Sequence, residues 1–227
     1  MNRPQGRRNI PTFLIPFGRH LIYAEGTKTE PLYVEDLKVF VSEVLKVKKE
    51  DIEIIPVKTN KSQHTIDLVE FAIKDVEKRK KKQEIITNVW IFYDKDDYKD
   101  FDKAYDLIRE QDELDGNIDW KACWSNECFE VWIYHYFENL ETPIKRSQYI
   151  TKINAFLKKN GSPKKYEKNM EDMHRFLTKY GGDIRKATRL MKNKDVDSNI
   201  KPNPSSGIYQ FVEFILAYID DKTKRKE

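Results

Sequence analysis

The sequence predicts an α/β protein: a parallel sheet with helices on both faces, followed by a C-terminal helical lobe. Three observations carry that expectation. Over roughly the first 140 residues, four short apolar runs rich in β-branched and aromatic residues alternate with stretches whose apolar residues recur at helical spacing. The strongest of those runs is apolar almost throughout rather than alternating, as befits strands covered on both sides. After about residue 140 the strand-like runs cease, and four helical patterns follow, separated by Gly- and Pro-containing breaks.

Taken in order, the first strand is His20-Leu21-Ile22-Tyr23-Ala24, stopped by the turn signal Glu25-Gly26. Thr29-Glu30-Pro31 opens a helix, since Thr29 can cap and proline suits a first turn. Leu32, Val34, Leu37, Phe40, Val41 and Leu45 then recur at helical spacing to about residue 47. Residues 51–57 form a second strand candidate, and 64–82 a helix with Ile66, Val69, Phe71, Ile73 and Val76 expected inward. The strongest strand, Asn88 to Tyr93, stops at Asp94-Lys95-Asp96-Asp97. A helix from about Phe101 to Gln111 and a strand from Ile118 to Trp124 follow. Ser125-Asn126 is expected to cap a helix carrying Phe129, Trp132, Ile133, Tyr136 and Phe137. Later helices are expected at about 147–159, 169–180, 183–193 and 207–221. The organisation is then a basic arm (1–12), an α/β domain (13–140) and a helical lobe (141–227).

Composition bounds the function classes. With 39% hydrophobic and 35% charged residues, and the apolar ones clustered, the chain folds rather than staying disordered. A net charge of +4, from 42 basic and 38 acidic residues, is no polycation, so contact with nucleic acid must come from local patches. Candidates are Arg3, Arg7 and Arg8, the run Lys78 to Lys82, and Lys222 to Lys226; each reads equally as a solvated helix face or tail. Cys123 and Cys128 form neither a zinc pattern nor a disulfide framework and are expected as reduced core thiols. No apolar stretch reaches membrane-span length, and Pro11 and Pro16 interrupt the apolar segment near the start, so a cytoplasmic protein without a membrane partner is expected. Self-association stays open.

The acids point to chemistry. In open parallel sheets ligands bind beyond the carboxyl ends of the strands, where Glu25 and Asp94 fall. Carboxylates clustered at the ends of buried strands repel one another, and a hard divalent cation, Mg²⁺ or Mn²⁺, relieves that cost. Asp94 and Asp96 stand two apart and so point the same way in an extended chain. Two ions about 4 Å apart can polarise a phosphate, activate water and stabilise a leaving oxygen. Asp94 and Asp96 are the first expected ligands, Glu25 a third ligand or water-positioning base, and Asp97 an alternate or supporting ligand. The competing reading is that Asp-x-Asp is an ordinary turn or cap. Glu130, four residues after Asn126, is expected to look back with it toward the acids, with capping or salt-bridging as the alternative. Lys28 is placed to clamp a phosphate, against a plain surface lysine. Lys95 and Asn126 are further expected contacts to nucleic acid. His135 and the tryptophans Trp90, Trp120, Trp124 and Trp132 are expected in the core.

The spacing also carries a resemblance. A strand-ending Glu-Gly followed by a strand-ending Asp-x-Asp resembles the Toprim pattern of topoisomerases, primases and OLD-type nucleases. More closely, Glu25-Gly26-Thr27-Lys28-Thr29-Glu30-Pro31-Leu32-Tyr33, Phe92-Tyr93-Asp94-Lys95-Asp96-Asp97, and the run Trp124-Ser125-Asn126-Glu127-Cys128-Phe129-Glu130-Val131-Trp132-Ile133-Tyr134-His135 resemble the RloB-like family. Tyr166-Glu167-Lys168 and Asn203-Pro204-Ser205-Ser206 match its later signatures, with Glu127 standing where the family usually has Pro and Ser206 where it commonly has Thr. The resemblance implies a Toprim (Rossmann-like) nuclease of prokaryotic restriction and abortive-infection loci, encoded beside an ATPase of the AAA or ABC type. Lys168, in the matching Tyr-x-Lys, would supply the positive charge phosphodiester cleavage needs. The expected function is therefore a divalent-metal-dependent nuclease on DNA or RNA, an anti-phage effector. The competing class is a catalytically idle module that binds and regulates the ATPase; a polymerising enzyme is a weaker third.

Overall fold

The structure, a computed structural model, describes residues 18–59, 65–95, 100–194 and 202–224. Among these, a five-stranded sheet runs in the order β2-β1-β3-β4-β5. Its strands are β1 (His20–Ala24), β2 (Ile54–Pro56), β3 (Asn88–Asp94), β4 (Asp119–Asn126) and β5 (Ser205–Ser206). The first four are parallel, and β5 adds an antiparallel edge to the end of β4. Eight helices are described: α1 (Thr29–Leu45), α2 (Thr65–Lys81), α3 (Phe101–Leu114), α4 (Glu130–Tyr134), α5 (Arg146–Lys159), α6 (Met173–Lys179), α7 (Ile184–Lys194) and α8 (Ile208–Lys224). This is the doubly wound, Rossmann-like α/β class the alternating pattern predicts.

Strand periodicity sorts the core into two layers. Leu21, Tyr23, Val89, Ile91 and Tyr93 face α2 and α3. Ile22, Ala24, Trp90, Phe92 and Cys123 face the other way, into a larger core shared by α1 and by residues of every helix from α4 to α8. The helices after residue 140 therefore cover one whole face of the sheet: Phe211 of α8 meets Trp90 and Phe92 edge-on at 5.2 and 5.6 Å between centroids. All four tryptophans are buried, as are both cysteines, which are free thiols. No helix among the described residues is long and apolar enough to cross a membrane.

Four local expectations need correction. The inward face of α2 is Leu68, Val69, Ala72 and Val76, whereas Phe71 is exposed; a true 3.6-residue period selects the former set and rejects the latter. Thr29 is not the cap of α1: Lys28 holds that position, and no side chain caps it. Ser125 and Asn126 are not the cap of α4, a position Phe129 holds, because they are the last residues of β4, paired with Ser206 and Ser205. Finally, strands do not cease after residue 140, since β5 follows the Asn-Pro break. A two-residue strand has no periodicity of its own and exists only through its partner.

Candidate active site

The register of the sheet assembles the site. Ala24 lies opposite Phe92, which brings the exits of β1 and β3 side by side. The Glu25 amide donates to the Phe92 carbonyl at 3.0 Å, and the Asp94 amide donates back to Glu25 Oε2 at 3.3 Å. Strand order reverses between β1 and β3, because β1 is followed outward by β2 on one side and by β3 and β4 on the other. Crevices at such reversals are where doubly wound sheets take their ligands.

Two further carboxylates close on this point. Glu30, in the first turn of α1, is only 7% exposed, and its Oε2 finds no hydrogen-bond partner among the described residues. Its carboxylate lies against Gly26: a Cβ there would stand 2.0 Å from Oε2. Real Cβ atoms do not approach that closely, so the residue after Glu25 must be glycine while Glu30 keeps this position. Glu130 opens α4 with its side chain 1% exposed; Lys168 Nζ lies 3.0 Å from its Oε1, and the buried Tyr166 hydroxyl donates to the same oxygen at 3.4 Å. Arg146, at the start of α5, places Nη2 3.3 Å from Asp94 Oδ2. Both cations are about half in solvent, with 42% of the Arg146 and 48% of the Lys168 side chain exposed, so their charge is partly screened.

The cluster is electrostatically unfavourable. Burial pushes the Glu30 carboxyl up to about 7 against the hydrogen bond from its own backbone amide, and the charges of Glu130 and Glu25 push it up further against Lys168. Asp94 is held well above the usual carboxylate range by burial first and by Glu30 next, with Glu130 and Glu25 adding and Arg146 opposing. Four carboxylates thus share one field. The thiol of buried Cys128 is likewise pushed up, by burial and then by Glu130 and Asp94.

The sequence-derived residues meet this geometry unequally. Glu25, Asp94, Glu130 and Lys168 come together. Asp96 and Asp97 lie outside the described residues. Lys28 is exposed at the N-terminus of α1, two residues beyond Gly26, where its carbonyl accepts from the Leu32 amide. Lys95 turns its ammonium toward the Phe101 ring, 5.5 Å from the centroid, on the face covered by α2 and α3 rather than toward the carboxylates. Asn126 shares no helix with Glu130; its amide nitrogen donates to the Pro202 carbonyl at 3.1 Å, tying β4 to the segment entering β5. His135 is a satisfied core histidine: Nδ1 pairs with the Val131 carbonyl at 2.7 Å, Nε2 accepts from the Leu140 amide, and burial lowers its pKa to about 4. Sequence reasoning missed Glu30, Arg146 and Tyr166 as site residues. The available signal for Glu30 was the glycine at 26, whose missing side chain leaves the space that Glu30 fills.

A doubly wound sheet with a carboxylate cluster at its strand-order reversal defines the class of protein. The family is then given by comparison: a family model described as RloB-like protein matches residues 20–215, and the chain belongs to that family. No curated protein matches the chain. No solved structure matches it either.

Proposed function

We propose that this RloB-like protein is a divalent-metal-dependent phosphodiesterase acting on DNA or RNA, with its centre at Glu25, Glu30, Asp94 and Glu130. One observation carries the reading: four carboxylates converge on a strand-order reversal, and one of them is buried with an unpartnered oxygen. The donor set is all oxygen and anionic, which suits Mg²⁺ or Mn²⁺. Among the described residues no group of three or more His, Cys, Asp or Glu side chains is already arranged to hold a metal, so the fit rests on donor chemistry and charge. Asp96 and Asp97, outside the described residues, belong to the proposal as further ligands. Bound there, two such ions would polarise a phosphodiester and lower the cost of generating a nucleophile from water.

The chain's own residues have distinct tasks. Glu25 is held between the β1 exit and the Asp94 amide, a position from which it can orient an attacking water. Lys168, now paired with Glu130, can turn to a phosphate oxygen and offset charge developing there. Arg146, about half in solvent beside Asp94, can do the same for the incoming backbone. Lys28, exposed at the N-terminus of α1, can hold a neighbouring phosphate. In this reading the partners are nucleic acid and, as family membership suggests, an ATPase of the AAA or ABC type, in a defence role.

The test is cleavage of labelled DNA and RNA with and without Mg²⁺, using the parent and Glu25→Ala, alone and with a candidate ATPase partner of the AAA or ABC type. Metal-dependent cutting by the parent and none by the variant is expected. If the parent never cuts under any of these conditions while still binding the ATPase, the chain is a regulatory module instead.

A further inference from the structure

Beside the carboxylates lies a cleft of about 530 Å³, lined by Gly26, Thr27, Pro31, Pro56, Val57 and Lys58, with Glu35 and Thr59 completing its wall. Its volume falls in the roughly 300–1,000 Å³ range of small-ligand sites. It opens between the exits of β1 and β2, one strand over from the crevice where Glu25 and Asp94 meet. The Thr59 hydroxyl donates to the Ala24 carbonyl at 2.8 Å and so holds the end of β2 against the end of β1. Gly26 belongs to both places: it lines the cleft, and Glu30 Oε2 lies 2.0 Å from where its Cβ would stand. The wall of the cleft and the carboxylate cluster are therefore separated by a single residue.

We propose that this cleft seats the nucleotide next to the scissile phosphate, so that the substrate must present an unpaired nucleotide. The inference rests on the phosphodiesterase reading above. Its lining has the needed chemistry. Pro31, Pro56 and Val57 give a rigid apolar surface on which a planar base can lie, as extruded bases pack between aromatic or apolar side chains. Thr27 offers a hydroxyl with no partner among the described residues. Lys58 is exposed and likewise unpaired among them, a point charge for a backbone phosphate. Among the described lining residues the one carboxylate, Glu35, is paired with Lys49 at 2.6 Å, which offsets part of its charge. A base inside a duplex cannot enter; a base in a loop or single strand can, at little unstacking cost.

The experiment uses the full chain carrying Glu25→Ala in Mg²⁺, so that binding is read without cleavage and with the carboxylates still offered a cation. Fluorescence anisotropy compares a labelled single-stranded oligonucleotide, a hairpin with an unpaired loop, and a blunt duplex of the same sequence. At least tenfold tighter binding of the single strand and hairpin is expected. Thr27→Trp, which fills the cleft from an exposed turn, should erase that preference. Lys58→Ala, a surface change that leaves the fold untouched, should weaken all binding and reduce the salt slope of log K by about 1. Equal affinity for the blunt duplex, no binding at all, or unchanged preference in a folded Thr27→Trp protein would each overturn the proposal. The two readings fail separately. Metal-dependent cleavage without single-strand preference removes the nucleotide pocket and keeps the phosphodiesterase. Selective binding without cleavage on any substrate keeps a cleft for an unpaired nucleotide but removes the phosphodiesterase, and with it the place beside a scissile phosphate.

Discussion

Among the polar side chains that helix α1 buries, Glu30 and Tyr33 stand one turn apart, and the clusters they join are built on opposite principles. Around Tyr33 every group has a match: Trp132 Nε1 donates to its hydroxyl at 2.7 Å, Tyr136 shares a hydrogen bond with it at 2.7 Å, and Tyr136 in turn meets His174 Nδ1 at 3.2 Å. Around Glu30 the groups are alike in charge. Four carboxylates (Glu25, Glu30, Asp94, Glu130) face two half-exposed cations (Arg146, Lys168), an excess of two negative charges when all are ionised. A satisfied network stabilises the fold and needs nothing further. A like-charged one costs stability and lowers that cost only by taking protons or cations. Buried polarity therefore does not by itself mark a site; unmatched buried charge does.

The largest expected effect would break this contrast outright. Asp94→Ala or Glu25→Ala should reduce cleavage by roughly 10²–10³-fold or more. Metal-free melting should stay unchanged or rise slightly, because deleting one acid relieves repulsion. Trp90→Ala should do the opposite, costing about 3–5 kcal/mol through a cavity in the shared core. An Asp94→Ala protein that cuts like the parent ends the metal-nuclease reading. If both acid variants simply unfold, the acids are structural supports.

Next in size is Tyr33→Phe. It deletes one oxygen and leaves the buried Trp132 N–H without its acceptor. A loss of about 1–3 kcal/mol is expected in urea unfolding. A neutral result would mean that the network is less coupled than its geometry implies, and the contrast with Glu30 would weaken. Smaller again is the response to metal. At Mg²⁺ ten times above its dissociation constant, thermal unfolding should show about 1.4 kcal/mol of added stability for the parent and for Tyr33→Phe. Asp94→Ala should show none. A shift of equal size in all three proteins would place the metal elsewhere.

How much of this was legible follows from the kind of signal each residue carries. The strands announced themselves through β-branched and aromatic runs, and Glu25 and Asp94 stand where those runs stop, so both were readable as strand-end acids. Glu30 was hidden, because an acid in a first helical turn has an ordinary local explanation in the helix dipole. Only packing against Gly26 shows it buried. Ser125 and Asn126 read locally as a cap and are strand instead, because their partners Ser205 and Ser206 lie some 80 residues on. Phe71 failed in the other direction, an aromatic residue that the sheet leaves at the surface. Periodicity reports what a segment can bury; what arrives to cover it is a long-range fact.

The smallest predicted effect concerns pH, and it has opposite signs in the two clusters. Glu30 is raised from an ordinary 4.5 to about 7. In the folded state it binds a proton more tightly than in the unfolded chain, so its contribution is fully present below about pH 4.5 and is lost as pH rises through 7. His174 is lowered from 6.5 to about 4, mainly by burial and then by Arg175. Its contribution is present above pH 6.5 and is lost as pH falls through 4. In metal-free melts, Glu30→Gln should therefore exceed the parent by on the order of 1 kcal/mol at pH 8, with the difference fading by about pH 4.5. His174→Gln should instead flatten the parent's loss of stability between pH 6.5 and 4. Millimolar Mg²⁺ sharpens the comparison, because a bound cation favours the ionised Glu30. The pH 8 advantage of Glu30→Gln should shrink or reverse with metal, while His174→Gln shows no such change. If metal leaves both pH profiles alone, Glu30 is a buried acid that the fold merely tolerates.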